Sequence, residues 1–347
     1  FTFNAASLGA MDIYGAWKND MRAIFLDAHM EEEGVSKTHV IGHVYPLKPE
    51  SKLDLNIETE HTNIQFLQYF MRSIVEDLHG RTSGKAHFYG KFKALNIEGN
   101  LMTDASLKIG ILNTSFAVTD TIRLSTSGIS FDNIRIADME GHQGTMNGKL
   151  NFRHFRDLSY HFEFNVNNML LMNTKENPDI NFYGKVYGTG NAMLIGNPQE
   201  LQVNAAVTTN RNTNFVYITN ATASAASNQF IKFVDKTPRR FVQDSINVMS
   251  EYDRLQQEME EEESKTDIRL NLLIDATPDA TMKIIMDPIA GDYISGKGSG
   301  NIRTEFFNKG DVKMFGNYRI NQGIYKFSLQ EVIRKDFIIK DGSSITF

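Results

Sequence analysis

Alternation of apolar and polar residues with a period of two runs through most of this chain, and it restricts the fold more than any other feature. Successive side chains on a β-strand point to opposite faces, so such segments form strands with one apolar and one wet side. Leu53, Leu55 and Ile57 alternate with Asp54, Asn56 and Glu58, and Leu107, Ile109 and Ile111 repeat the pattern before Phe116 and Val118. Ile122 and Leu124, Ile129 and Phe131, and Ile134 and Ile136 follow. The apolar parity changes across Asp132–Asn133, where a turn or bulge is expected. Phe162, Phe164 and Val166 keep the rule, as do Ile268, Leu270, Leu272 and Ile274, then Met282, Ile284 and Met286. Strands buried on both faces read as continuous apolar runs instead, so the pattern predicts a mostly β, predominantly antiparallel sheet with one wet face.

Glycines recur at short intervals, from Gly84, Gly90 and Gly99 to Gly184, Gly188, Gly190 and Gly196, and read as turns between strands. Gly84-Lys85, Gly148-Lys149 and Gly184-Lys185 each precede an apolar residue, as if opening similar strands, but their unequal spacing excludes a fixed-period solenoid. Two segments break the alternation. Leu67, Phe70, Met71, Ile74, Val75 and Leu78 have helical spacing and predict an amphipathic helix over 63–79, stopped at His79–Gly80. Thr237 and Pro238 open a second helical stretch that ends in the acidic run Glu260 to Glu263, where the helix dipole prefers cations. The expected organisation is therefore β-strands over 1–62, a helix over 63–79, a β-rich part over 80–227, a helical insertion over 228–264 and a β-rich C-terminal part over 265–347.

Composition narrows the functional classes. The chain has 36 basic and 42 acidic residues, a net charge of −6 and no basic block, which disfavours a nucleic-acid partner. No apolar run approaches the ~20 residues of a spanning helix. The chain begins at Phe1 without a positive leader and reads as a piece of a longer protein. With no cysteine, disulfides, thiolate metal sites and cysteine nucleophiles are excluded together, and an oxidising compartment suits such a chain.

The remaining residues offer few reactive constellations. His39 and His43 have the spacing of a helical zinc pair, but their neighbours Val40, Ile41 and Val44 argue strand, which separates them by roughly 13 Å. His154 and His161 lack an acidic partner at ligand spacing, so the sequence nominates no metal set. Gly296, Gly298 and Gly300 lack the Lys-Ser/Thr ending of a phosphate loop and read as a hairpin turn. No Gly-x-Ser-x-Gly elbow occurs, and Asp275, Asp279, Asp287 and Asp292 sit beside Pro and Gly as turn acids do. No catalytic centre or cofactor is nominated, and the chain is not expected to be an enzyme.

The C-terminal residues carry the most specific signal. Gly316, Tyr318, Ile320, Gly323, Tyr325 and Phe327 form the register Gly-x-Tyr-x-Ile-x-x-Gly-x-Tyr-x-Phe, followed by Ile333, Phe337, Ile339 and a closing Gly342-Ser-Ser-Ile-Thr run. This stretch resembles the C-terminal domain of the TamB family, the translocation and assembly module of Gram-negative bacteria, within the wider AsmA-like group. Asn228 to Phe233 give a shorter second match; the likeness in style covers residues 80–347 and the motif itself 296–347.

The resemblance implies a long sheet curled into an open apolar trough, a β-taco, in a periplasmic protein anchored to the inner membrane by a segment outside this sequence. It implies two partners: phospholipid or another acyl-chain ligand, passed between inner and outer membranes, and an Omp85-type outer-membrane barrel (TamA-like). About 15–20 strands at ~4.8 Å each give a sheet roughly 70–95 Å wide, and something must cover so large an apolar face. The candidate liners are Leu107, Ile109, Ile111, Ile122, Leu124, Ile129, Phe131, Phe162, Phe164, Val166, Ile268, Leu270, Leu272 and Ile274. An ordinary sandwich core is the competing reading for each of them. A scaffold offering a strand edge to the barrel, without lipid conduction, and a glycan-binding β protein are the other functional readings.

Overall fold

The computed structural model describes residues 2–3, 6–32, 34–47, 51–70, 75–154, 156–177, 180–219, 266–288, 290–310, 312–329 and 333–347. Alternating segments become strands almost without exception. Two short ones, β1 (Thr2–Phe3) and β2 (Ala6–Ser7), pair with each other. The rest join one long sheet. It starts with β3 (Ala10–Lys18), β4 (Ala23–Glu32), β5 (Ser36–Tyr45), β6 (Lys52–Asn63), β7 (Val75–Lys91) and β8 (Ala94–Ile109). It continues through β9 (Thr114–Ser125), β10 (Gly128–Asp138), β11 (Gln143–Arg153), β12 (Arg156–Thr174) and β13 (Phe182–Asn197), each antiparallel to the next. The last strands are β14 (Glu200–Thr209), β15 (Asn214–Ile218), β16 (Asp267–Ala276), β17 (Thr281–Asp287), β18 (Asp292–Phe307), β19 (Lys313–Leu329), β20 (Ile333–Ile339) and β21 (Ser343–Thr346).

The simple meander ends at β13. β14 and β15 lie end to end along it, with Glu200 opposite Asn197 and Asn214 opposite Lys185. β16 and β17 run parallel to β14 and β15, and β18 pairs antiparallel with both. Parallel neighbours need a crossover, and the chain leaves the sheet at Thr219, bonded to Ile285, and returns at Thr266, bonded to Pro198. The expected helical insertion over 228–264 lies outside the described residues.

These pairings close a six-strand ring, β13–β14–β16–β18–β17–β15, in which β13 and β18 are the continuous members. Phe182 and Phe306, at opposite ends of the ring, meet edge to face with centroids 6.2 Å apart, so the sheet folds across the breaks at 210–213 and 277–280. One long, mostly antiparallel sheet is therefore as expected. The ring, a circuit of pairings around the two breaks, is an addition to that expectation.

Among the described residues of the span 63–79, no α-helix forms. Asn63 ends β6, Gln65–Phe70 is a short 3-10 turn, and Val75 to His79 belong to β7. A register shift between Val75 and Asp77 accounts for the helical spacing of Val75 and Leu78. It puts Val75 opposite Ile109 and Leu78 opposite Leu107 on one face, so a bulged strand displays the three-residue spacing of a helix.

Most of the glycines are likewise inside strands and not in turns. Gly296, Gly298 and Gly300 lie in β18, and Gly84, Gly148 and Gly184 lie in the middle of β7, β11 and near the start of β13. Gly84 shows why: its φ is +151°, and a Cβ there would collide with the Asn100 carbonyl of the adjacent strand. Such residues bend a strand inward, and repeated bends give a sheet its curl. The curl is tight between β9 and β12, where Asn113 Nδ2 donates to the Asn173 carbonyl at 2.7 Å across the intervening strands.

Asp138, 5% exposed at the end of β10, ties this curled region together. It accepts hydrogen bonds from the amides of Leu170 (2.7 Å), His142 (2.9 Å) and Glu140 (2.9 Å) and from the His142 ring (2.9 Å). Burial would raise its pKa, but these donors outweigh burial and hold the carboxyl below its ordinary 3.8. A lowered folded pKa means that the carboxylate adds stability above the unfolded value, and that this stability is lost as pH falls through the folded one. Asp138→Asn should therefore lower stability at pH 7 by about 2 kcal/mol, and the gap between variant and parent urea melts should narrow below about pH 4. A gap independent of pH would contradict this role.

Candidate functional site: one apolar face across the sheet

The strand registers place residues of like face opposite one another from strand to strand, with bulges where the count would otherwise slip. Leu124 lies opposite Ile129, then Leu150, Tyr160, Gly196, Leu201 and Ile268 follow across the sheet. The next row is Phe131, Gly148, Phe162, Leu194, Val203, Leu270 and Phe306. A third joins Ile134, Met146, Phe164, Ala192, Ala205 and Leu272, and a fourth joins Ile136, Gly144, Val166, Gly190, Val207, Ile274 and Ile302. Towards the N-terminus, Leu124 continues to Gly99, Ala86, Ile57, Val40, Ala28 and Ile13. Antiparallel and parallel partners directly opposite share a face, so these rows form one apolar surface from β3 to β18.

Bulges preserve that surface. The pairing skips between Phe131 and Ile134, as the parity change at Asp132–Asn133 requires, and Asn133 has φ +52°. In β19 the pairing skips Asn321, with Ile320 opposite Gly298 and Gln322 opposite Lys297. The two unspecified residues in the middle of the Gly316 to Phe327 motif are this bulge. It keeps Gly316, Tyr318 and Ile320 on the same side as Gly323 and Tyr325, which faces Ile294.

Of the residues expected to line a groove, Leu107, Ile109, Ile122, Leu124, Ile129, Phe131, Phe162, Phe164, Val166, Ile268, Leu270, Leu272 and Ile274 all fall on this face. Ile111 does not; it sits in the 3-10 turn Gly110–Leu112 beyond the end of β8. Leu124 is buried, whereas the others are half-buried, and their polar neighbours Arg123, His161, Glu163, Arg269 and Asn271 are exposed on the opposite face.

Packing along the face is uneven. Ile134 and Met169, each 1% exposed, centre one cluster with Val118, Ile136 and Met146, and Phe131, Phe162 and Phe164 pack against it. Leu107 joins this cluster to a second one around Val75, Leu78 and Ala105. A third holds Tyr318 and Ile320, each 2% exposed, against Met282, Ile284 and Ile302. Burial pushes the Tyr318 hydroxyl up to about 12, partly offset by the Gly298 amide, so it stays protonated and faces the Gly296 carbonyl at 3.5 Å. Tyr325 stacks on Phe337 at 5.9 Å and meets Phe327 edge-on at 6.1 Å, while Gly342, at φ +85°, turns the chain from β20 into β21. The motif thus builds packed core and a turn, and presents no group poised for chemistry.

The one cluster of metal-ligand side chains found among the described residues is Asp27, His29 and His39, on the wet face. The sequence concealed it, because His29 and His39 become neighbours only when β4 pairs with β5.

A single long, mostly antiparallel sheet with one largely apolar face, kept in step by bulges, defines the class of β protein to which the chain belongs. The model of the TamB C-terminal domain matches residues 132–347, which is more than half of the chain, and the chain belongs to the TamB family. Membership assigns it a role in the translocation and assembly module, whose TamB proteins are associated with the cell envelope. Comparison with curated proteins and with solved structures gives no match.

Uneven packing makes a stability prediction. Ile134→Ala should cost about 3 kcal/mol in urea denaturation, since it empties a closed site, whereas Leu270→Ala, half-buried already, should cost no more than about 1.5 kcal/mol. Equal losses would mean that the face is packed throughout like an ordinary core.

Proposed function

We propose that this chain is a periplasmic segment of a bridge-like protein that shields phospholipid acyl chains on its apolar face and passes them between the inner and outer membranes. The observation that carries this reading is the run of largely apolar rows from β3 to β18, with most charged and amide side chains on the other face; Asp120, opposite Thr103, and the buried Asp138 are the exceptions. Hydrocarbon is the ligand such a surface suits. Acyl chains need no directional partners, and each methylene removed from water contributes about 0.8 kcal/mol. A small-molecule pocket would need a few converging polar groups, and the one polar row on this face, Thr62, Thr82, Thr103 and Asp120, lies between β6 and β9, away from the apolar rows that run from β10 to β18. Docking on an Omp85-type barrel completes the reading, with a membrane anchor preceding this segment in the full-length protein.

Side-chain parity provides the test. A photo-crosslinking amino acid placed at Leu270 or Leu272 should capture phospholipid in cells, and one at Arg269 or Asn271 should not. Phe131→Asp or Phe164→Asp should reduce capture at Leu270 several-fold while a β-sheet circular dichroism signal persists. Equal capture from both faces, or none from either, would reject the reading.

A second reading, a scaffold for outer-membrane protein assembly by strand pairing, has its own support at the C-terminal edge. β20 and β21 pair with β19 alone, and Phe337 and Ile338 of β20 are 43% and 90% exposed. An unpaired edge with exposed apolar residues is a template for an added strand. Removing residues 333–347 should abolish pull-down of the barrel under this reading and leave lipid capture at Leu270 in place.

A further inference from the structure

We infer that Asp27, His29 and His39 form a divalent transition-metal site, for which zinc is the fitting ion, on the wet face of the sheet near its N-terminal edge. Asp27 and His29 stand two residues apart on β4 and therefore on the same face, and His39 lies directly opposite His29 on β5. Their imidazoles stack with centroids 4.2 Å apart and planes 9° from parallel. Both Nε2 atoms aim at one oxygen: His39 is 2.8 Å and His29 3.0 Å from Asp27 Oδ1. All three donor atoms lie within 4.8 Å of one another.

Those distances suit a shared ion. Donors at 2.0–2.1 Å around a tetrahedral zinc are about 3.3–3.4 Å apart, so the two carboxylate–imidazole spacings need to open by only a few tenths of an ångström, while one of the stacked rings must turn so that both in-plane lone pairs meet at the ion. Two imidazoles and a carboxylate favour zinc, nickel or copper over magnesium or calcium, which take oxygen shells. The fourth position opens to water, because the His29 side chain is 59% exposed. The surroundings add negative charge. Asp12 on β3 lies opposite His29, and Glu58 on β6 lies opposite His39, although Lys85 pairs with Glu58 at 2.5 Å. An ion here would clip β4 to β5 beside β3, the edge strand of the sheet, on the side away from the apolar rows.

Calorimetric titration of zinc chloride into the untagged 347-residue chain, in chelator-free buffer, tests the site. One zinc per chain is expected, with magnesium chloride giving no binding heat. His29→Ala and His39→Ala should each weaken zinc at least ~tenfold, whereas His161→Ala, an exposed histidine on β12, should leave the isotherm unchanged. His29→Gln serves if either alanine variant loses its β-sheet circular dichroism signal, since the exposed His29 ring adds little to the fold. Absence of zinc binding by the parent chain, or an isotherm indifferent to both histidine substitutions, would overturn the site. Phospholipid capture at Leu270 should be untouched by these variants, which separates this outcome from that of the lipid reading.

Discussion

Backbone hydrogen bonding between neighbouring strands decides which side of the sheet every side chain occupies, and a slip of one residue would move a whole strand's apolar set into water. The apolar surface described above exists only because that pairing stays in step over so many strands. Where an extra residue intrudes, a bulge absorbs it, as between Phe131 and Ile134 and again at Asn321. Glycine serves the same end differently. At Gly128 and Gly316 the backbone has φ of +141° and +132°, conformations rarely open to other residues, and the strand bends without losing its partners.

Alternation is a local property, and what it specifies was legible in the sequence. The strands at Leu53–Ile57, Phe162–Val166 and Ile268–Ile274 lie where the pattern puts them, and the parity break at Asp132–Asn133 marks a true bulge. The same logic misled where a bulge imitated another period. Val75 and Leu78 share a face through a register shift, which mimicked a helix. Gly296, Gly298 and Gly300 resembled a turn because close backbone approach, a property of the neighbouring strand, leaves no mark in the local sequence.

Non-local features were harder still. That Ile268 to Ile274 continue the rows begun at Ile129 and Phe131 depends on parallel pairing between β14 and β16, which nothing in either segment announces. The ring through β13 and β18 depends on the same pairing. The histidine pair was hidden for a related reason: in sequence the histidine nearest His39 at ligand spacing is His43 on its own strand, while its neighbour in space is His29 on the strand before. Family resemblance recovered part of this, since the Gly316 to Phe327 register encodes core packing and a bulge that periodicity alone would have read as a broken strand.

The parallel junction also sets an order of events during synthesis. Strands from β3 to β13 pair with their immediate successors, so that half can zip up hairpin by hairpin as it emerges, each step closing a short loop. β14 must wait with one edge bare until β16 arrives, as the bond from Asn271 to Asn204, separated by 67 positions, makes plain. During that interval an apolar, half-finished margin is open to any stray strand. The two parallel seams, β14 with β16 and β15 with β17, are the pairings that close the longest loops between neighbouring strands of this part of the sheet, and so carry the largest entropic cost of closure.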